Sequence, residues 1–513
     1  MSGKSTPKKN TTKPPRPESY FHFLFRKEQA LDWMVIFLTV LAGCLLVTIT
    51  FPYPRMSSDT YGYIWAAMNN RFTHLRPFGY SFFLRILHVF SKSLYSIIVS
   101  QALIYAVSAG ILLLAVKKYW PPRKNWWFIV FEVVTVFSPT AFFLFDTILS
   151  DVLQCALLFV IVAMLLVMIH EESWVALLLY AAALFCSFHT RYSSMYLPVA
   201  ILPILVLSGK KAMRLVSVGL TVAVFAVFYV QTEHDMVKYY GLKQFSTGFD
   251  GWQLANNGLH VIPFIDIEPD KIKIPEDNDL KRLHEFVLNY NNRHHKIEEY
   301  TTNEGKKPTA SFIWINDAPL KQYHIRYLKE NEGKYDMAMS WVILGSGVYK
   351  EYGKWLIVNY PWLFIKHYLF PNIKQVFFTT LLEMHTLGSD IPAGKNEIVE
   401  WFDVPADKSF GSRGKMYPTI FNPLYPWIEL MTWLVFIASA VVLLIVKKKG
   451  DLSKETKLSL WMIFLLGFVY YGTVTFASPI ALRYWMPMHA VKLVFAWIAV
   501  TETLRIRASR VRR

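Results

Sequence analysis

Residues 33–51 read WMVIFLTVLAGCLLVTITF, and a few positions later the chain turns to Ser57-Ser58-Asp59-Thr60-Tyr61-Gly62-Tyr63. The first stretch has the length and apolarity needed to cross the hydrocarbon core of a bilayer. The second puts a carboxylate and two tyrosines just past its end. Similar apolar runs recur at 95–116, 126–145, 152–168, 174–188, 194–207, 215–231, 426–446, 458–476 and 485–504. Hydrophobic residues make up 54% of the 513, more than a soluble chain of this length carries. The expected fold is an all-α polytopic membrane protein of about ten transmembrane helices. Interfacial helices should lie in its first outer loop, and a mainly helical extracytoplasmic domain should follow later.

The basic residues orient this scheme. The net charge of +17 raises the question of nucleic acid, but Lys and Arg gather at the ends of apolar runs, where they act as topology determinants. No nucleic-acid partner is expected. Lys8, Lys9, Lys13, Arg16, Arg26 and Lys27 precede the first run. Lys117-Lys118, Arg123-Lys124, Lys210-Lys211, Arg214, Lys447-Lys448-Lys449 and the arginines from Arg505 onward close or open others. Both termini are therefore expected in the cytoplasm. His170-Glu171-Glu172 is the one expected cytoplasmic turn without a basic cluster.

Four segments follow. Residues 1–30 read as a cytoplasmic disordered tail, and 31–231 as a transmembrane catalytic module with its first outer loop at 52–94. Residues 232–423 read as an extracytoplasmic domain, and 424–513 as C-terminal transmembrane helices with a basic tail. In the first loop, apolar and small residues from Asp59 to Asn70 recur at helical spacing, and 77–90 suits a half-inserted helix. Ser138-Pro139 should kink the run at 126–145. Helices are expected at 279–300 and 320–332, and an interfacial one at 355–370. The three cysteines, Cys44, Cys155 and Cys186, lie inside apolar runs without paired spacing and read as small core residues.

In this topology Asp59, Arg76, Asp146, Asp151, His189, Arg191 and Arg483 all end on the outer face, while the spans stay nearly free of charge. A carboxylate such as Asp59 can take a proton from an attacking hydroxyl; equally, it can cap the helix that follows. Asp146 and Asp151 carry the same two readings. Arg76, Arg191 and Arg483 suit phosphate, which guanidinium groups bind bidentately; the bland alternative is snorkelling at a span end. That alternative is weaker on the face where arginine is disfavoured. His189 reads as a hydrogen-bonded core histidine or a ligand lacking partners. No metal-ligand spacing, Walker loop or dinucleotide fingerprint is present. No cofactor is called for, and a divalent metal stays open.

These residues bear a resemblance. Ser58-Asp59-x-x-x-Tyr63 after the first span, Arg76-Pro77-Phe78-Gly79-Tyr80, Ser150-Asp151 opening a middle span, and Arg483-Tyr484 before the last together resemble the GT-C superfamily of integral membrane glycosyltransferases. The nearest groups are the protein O-mannosyltransferases and the bacterial lipid A aminoarabinose transferases. The likeness covers 33–210, weakly 476–504, and not 232–423. It implies a polyprenyl-phosphate-linked sugar as donor, with transfer on the extracytoplasmic face; a glycan, lipid or protein acceptor fits equally, and the lack of an Asn-x-Ser/Thr sequon in 232–423 favours a bacterial inner membrane. It implies Asp59 as base or acceptor-orienting acid, and Asp151 in the place of an acid often found as Glu. Arg191 and Arg483 would be phosphate contacts, with Arg76 in the loop lining the cavity. Tyr61, Tyr63, Tyr80, Asp146, His189 and Tyr484 would line the substrate cavity. Some relatives carry two adjacent acids in the first loop, whereas here Ser58 and Thr60 flank Asp59. An inverting, metal-independent displacement is the chemistry expected, because a departing polyprenyl phosphate needs little protonation. The alternative is a transporter or flippase of lipid-linked saccharides, although no internal repeat is evident.

Overall fold

Tyr20 anchors the start of the chain. In the computed structural model, which describes residues 18–51, 54–245, 249–267, 275–295, 297, 308–377, 401–403, 416–448 and 451–511, its ring is fully buried. Its hydroxyl donates to Ile111 O at 2.6 Å, and its N–H to Glu171 Oε2 at 2.8 Å. It opens a one-turn helix, α1 (Tyr20–Leu24). Of the disordered tail expected over 1–30, residues 1–17 lie outside the described residues. The part from Tyr20 onward is helical, because its polar groups find partners in the bundle.

The bundle continues with α2 (Ala30–Thr50), α3 (Ser58–Asn69), α4 (Gly79–Phe90) and α5 (Tyr95–Tyr119). Then come α6 (Asn125–Val136), α7 (Pro139–Phe145), α8 (Asp151–Glu171), α9 (Trp174–Thr190), α10 (Leu197–Leu207) and α11 (Lys211–Tyr240). A second group follows: α12 (Phe249–Gly258), α13 (Asn278–His294), α14 (Ser311–Trp314), α15 (Pro319–Glu330), α16 (Met337–Ser346) and α17 (Val348–Asn359). Pro361 breaks the chain there. The short α18 (Pro361–Phe364) runs through a π turn into α19 (Phe370–Phe377). The chain returns to the bundle with α20 (Met416–Val446), α21 (Lys454–Ala477) and α22 (Met486–Val511). No strand occurs among the described residues.

Among the described residues six helices are long and apolar enough to cross a membrane: Lys27–Thr50, Tyr95–Tyr119, Asp151–Glu171, Lys211–Tyr240, Thr419–Val446 and Lys454–Ala477. They number seven if α6 and α7, bent by 54° at Ser138-Pro139, count as one. The chain is thus a multi-pass helical membrane protein. Among the described residues the expected count of about ten is not reached. Each of the ten apolar runs does fall on a helix, but α9 and Tyr192–Leu207 are short. The last helix, α22, carries Lys492, Glu502 and three arginines and is not in the apolar set. α8 is the central helix, with 83% of its apolar stretch buried, against 28% for α2 at the periphery. The expectation of nearly charge-free spans is also corrected. Lys492 Nζ, in the run at 485–504, meets Glu429, in the run at 426–446, at 2.7 Å inside the bundle. Charge is tolerated there because it is paired.

Residues 249–377 form a second core around Trp252, whose ring stacks on Trp341 at 4.0 Å between centroids. Glycines let its helices touch backbone to backbone. A Cβ on Gly251 would sit 1.7 Å from Gly345 O, and one on Gly353 2.5 Å from Ala255 N. The helices expected at 279–300 and 320–332 are α13 and α15. α13 stops at His295, which takes a left-handed φ of 48°. The remaining parts of the domain expected over 232–423, at 246–248, 268–274, 296, 298–307, 378–400 and 404–415, lie outside the described residues.

Candidate active site at the Asp59 pole

The start of α3 sets the site. Ser57 precedes the helix in extended conformation. Its N–H donates to Thr60 Oγ1 at 2.9 Å, and Thr60 Oγ1 donates to Ile148 O at 2.9 Å. Ser57 and Thr60 therefore close the helix end as a capping box. Asp59, one position inside the helix, has no capping duty, so of its two readings the cap is overturned. Its carboxylate turns to two guanidinium groups instead: Arg76 at 2.5 Å and Arg483 at 3.1 Å.

A second acid–base pair stands beside the first. Asp151 opens α8, with Ser150 before it as the capping position, and pairs with Arg191. Its other oxygen, Oδ2, is buried with no hydrogen-bond partner among the described residues. Tyr484 joins the pairs, with the Arg191 guanidinium 5.2 Å and the Arg483 guanidinium 5.4 Å from its ring centre. Tyr63 joins them from the other side. Its hydroxyl meets Ser150 Oγ at 2.9 Å, and Arg76 lies 5.1 Å from its ring centre. Asp59 and Arg76 from the first loop, with Asp151, Arg191 and Arg483 from three more distant parts of the chain, thus converge at one pole of the bundle.

Other expected site residues have different work. Asp146 does not line a cavity. It is fully buried and bonded to Arg55 Nε at 3.0 Å. Arg55 also donates to Phe143 O at 2.6 Å and to Thr147 Oγ1 at 3.0 Å. His189, in the last turn of α9, faces α11 with its ring. Nδ1 faces Phe185 O at 2.9 Å, and Nε2 faces Gln231 Oε1 at 2.8 Å. Tyr80 is wholly buried, its hydroxyl donating to Gln101 Oε1 at 3.1 Å, so it is a post behind Tyr63 rather than a wall of the site. Tyr63 is itself buried, and Tyr61 half-buried on an adjacent face of α3.

Arg55 was missed in the sequence. Its N–H donates to Asp146 O at 2.6 Å, and Ile148 N–H donates to its carbonyl at 3.2 Å. This short ladder fastens the chain before α3 to the turn before α8, and so brings Asp59 near Asp151. The available signal was an arginine directly after the first span, on the face where arginine is disfavoured. Gly79 makes a further joint, since a Cβ there would lie 2.4 Å from His189 O. Only glycine lets α4 start against the end of α9.

Burial pushes the Asp59 carboxyl up, but Arg483 and Arg76 outweigh it and hold it below the usual carboxylate range. It is therefore ionised at neutral pH. Taken together, the pole offers an anion-binding set of arginines, an accessible carboxylate in Asp59 and a free carboxylate oxygen in Asp151. Among the described residues no group of three His, Cys, Asp or Glu stands together. Compared with protein-family models, curated proteins and solved structures, the chain matches none.

Proposed function

We propose that this protein is a membrane glycosyltransferase that moves a sugar from a polyprenyl-phosphate donor to an acceptor hydroxyl. The observation that carries this reading is the meeting of two carboxylates and three arginines at one end of an apolar helical bundle. A lipid-linked phosphate needs both halves of that arrangement: an apolar flank for the polyprenyl chain, and guanidinium groups for the phosphate. Arg483 and Arg191 hold the donor phosphate, with Arg76 beside them. Asp59, one-fifth exposed, faces the acceptor.

The reaction is one inverting displacement. The acceptor hydroxyl gives its proton to Asp59 as its oxygen bonds to the anomeric carbon. The bond from that carbon to the phosphate oxygen breaks, and its electron pair leaves with the phosphate. The arginines stabilise the charge that gathers there. A weak base suffices, because the leaving group needs no proton and departs early. The unpartnered oxygen of Asp151 accepts a hydrogen bond from a hydroxyl of the donor sugar. The site faces the extracytoplasmic side of a bacterial inner membrane, and both termini are cytoplasmic.

The test is turnover of a lipid-linked sugar by the purified protein in lipid vesicles. Asp59→Asn should lower kcat by about 10²- to 10⁴-fold, and wild-type turnover in that variant overturns the assignment. The buried Glu429–Lys492 pair, with His489 Nδ1 at 3.5 Å from Glu429, favours a second reading, a transporter of lipid-linked saccharides, since intramembrane ionisable groups often mark transport paths. Product formation from donor already at the site's leaflet, without ATP or an ion gradient, selects the transferase. Movement of donor between leaflets without product selects the transporter.

A further inference from the structure

The loop that carries Arg483 is held by the second helical core. α21 ends at Ala477, and its last carbonyls have no partner within the helix. They are met by side-chain amides from residues 249–377. Asn372, wholly buried in α19, donates from Nδ2 to Thr475 O at 2.8 Å and to Ser478 O at 2.8 Å. Its Oδ1 accepts from Ile480 N–H at 2.9 Å. Two donors and one acceptor match two carbonyls and one N–H in a single amide orientation. Asn257, wholly buried in α12, donates to Phe476 O and Ala477 O, each at 3.0 Å. Tyr368 adds its hydroxyl to Phe476 O at 3.4 Å. Three residues beyond Ile480 stands Arg483, whose guanidinium reaches Asp59.

We propose that Asn372 is a positioning residue: it braces the turn at 478–480, and Asn257 braces the helix end behind it, so that residues 249–377 set where Arg483 stands. The brace explains why so polar a segment turns buried amides toward a helix end. Neither asparagine touches the Asp59 cluster, so both act through the backbone. The positioning stands by itself; its consequence for phosphate binding rests on the function proposed above.

The test uses the full chain in lipid nanodiscs, with decaprenyl phosphate as the probe. Asn372→Ala should speed amide exchange over 475–484 by about tenfold or more while leaving the middle of α8 unchanged. It should also weaken decaprenyl phosphate binding by about tenfold. Arg483→Ala should weaken binding similarly, and the double variant should lose little more, because both changes remove the same contact. If Asn372→Ala does not fold, Asn372→Asp carries the same test, since it keeps the acceptor for Ile480 N–H but loses both donors. Lys350→Ala, which breaks the exposed pair with Asp250 in the same core, should move neither readout. Unchanged exchange over 475–484, or losses that multiply in the double variant, overturns the proposal. Absence of decaprenyl phosphate binding in the wild type counts against the glycosyltransferase reading, while amide exchange still decides the brace.

Discussion

Asp59 changes meaning once its neighbours are known. In the sequence it is an acid at the start of a helix, open to both capping and proton transfer. In the structure Ser57 and Thr60 do the capping, and the carboxylate is left to two arginines. The sign of its pH dependence follows. Its folded pKa is depressed, so its contribution to stability is complete above the unfolded value of about 4 and is lost as pH falls through the lower folded value. Wild-type turnover should therefore show no acid limb from Asp59 above about pH 4. Arg483→Gln removes the largest favourable charge and leaves burial less opposed, so the limb should move to higher pH. The check is kcat/KM against pH for both proteins. Superimposable profiles would falsify the pairing of Arg483 with Asp59. The three arginines were visible in the sequence because they break the positive-inside pattern. Asp146 and His189 were visible too, but their partners Arg55 and Gln231 were not, and Arg55 gives Asp146 a structural rather than a cavity role.

At the scale of elements, local chemistry was readable wherever periodicity or proline dictated it. The helix expected from Asp59 to Asn70 is α3, Ser58–Asn69, and the one expected at 77–90 is α4, Gly79–Phe90. Ser138-Pro139 does bend the chain, by 54°. The number of spans was less readable, because an apolar run of fewer than about 17 residues does not say whether it crosses a bilayer or packs within a bundle. The close approach of α4 to α9 gives a test at this scale. Gly79→Ala places a methyl against the His189 carbonyl and should cost about 1–3 kcal/mol of stability. As α4 shifts, Arg76, three residues before it, should draw away from Asp59. Thermal unfolding of the purified variant measures the first effect and donor KM the second; a variant with unchanged melting shows that the joint yields freely.

For the whole molecule, two poles are separated by the length of α8, 21 residues or about 30 Å. One pole holds Asp151 with Arg191, Asp59 and Arg483. The other holds Glu171 with Lys118, and Arg510 with Asp451. On the orientation proposed, Ser93 before α5 lies outside and Lys124 beyond its end lies inside, both exposed. With the native cysteines replaced, Ser93→Cys should react with a membrane-impermeant maleimide in intact cells, and Lys124→Cys only after permeabilisation. The reverse pattern inverts the protein in the membrane and removes the site from the extracytoplasmic face.

The sequence by itself determined that this chain is a helical, multi-pass membrane protein, since apolar length and periodicity are local properties that the bilayer reads directly. It also marked the arginines that stand out of place. Only the tertiary structure decided which acids meet them. It gave the capping to Ser57 and Thr60, seated Asp146 on Arg55, and tied the Arg483 turn to Asn372. Apart from the local capping, those outcomes depend on pairings between residues about 90 to 420 positions apart. Each buried polar group must find a partner, and spacing along a chain does not reveal which partner folding will bring within reach.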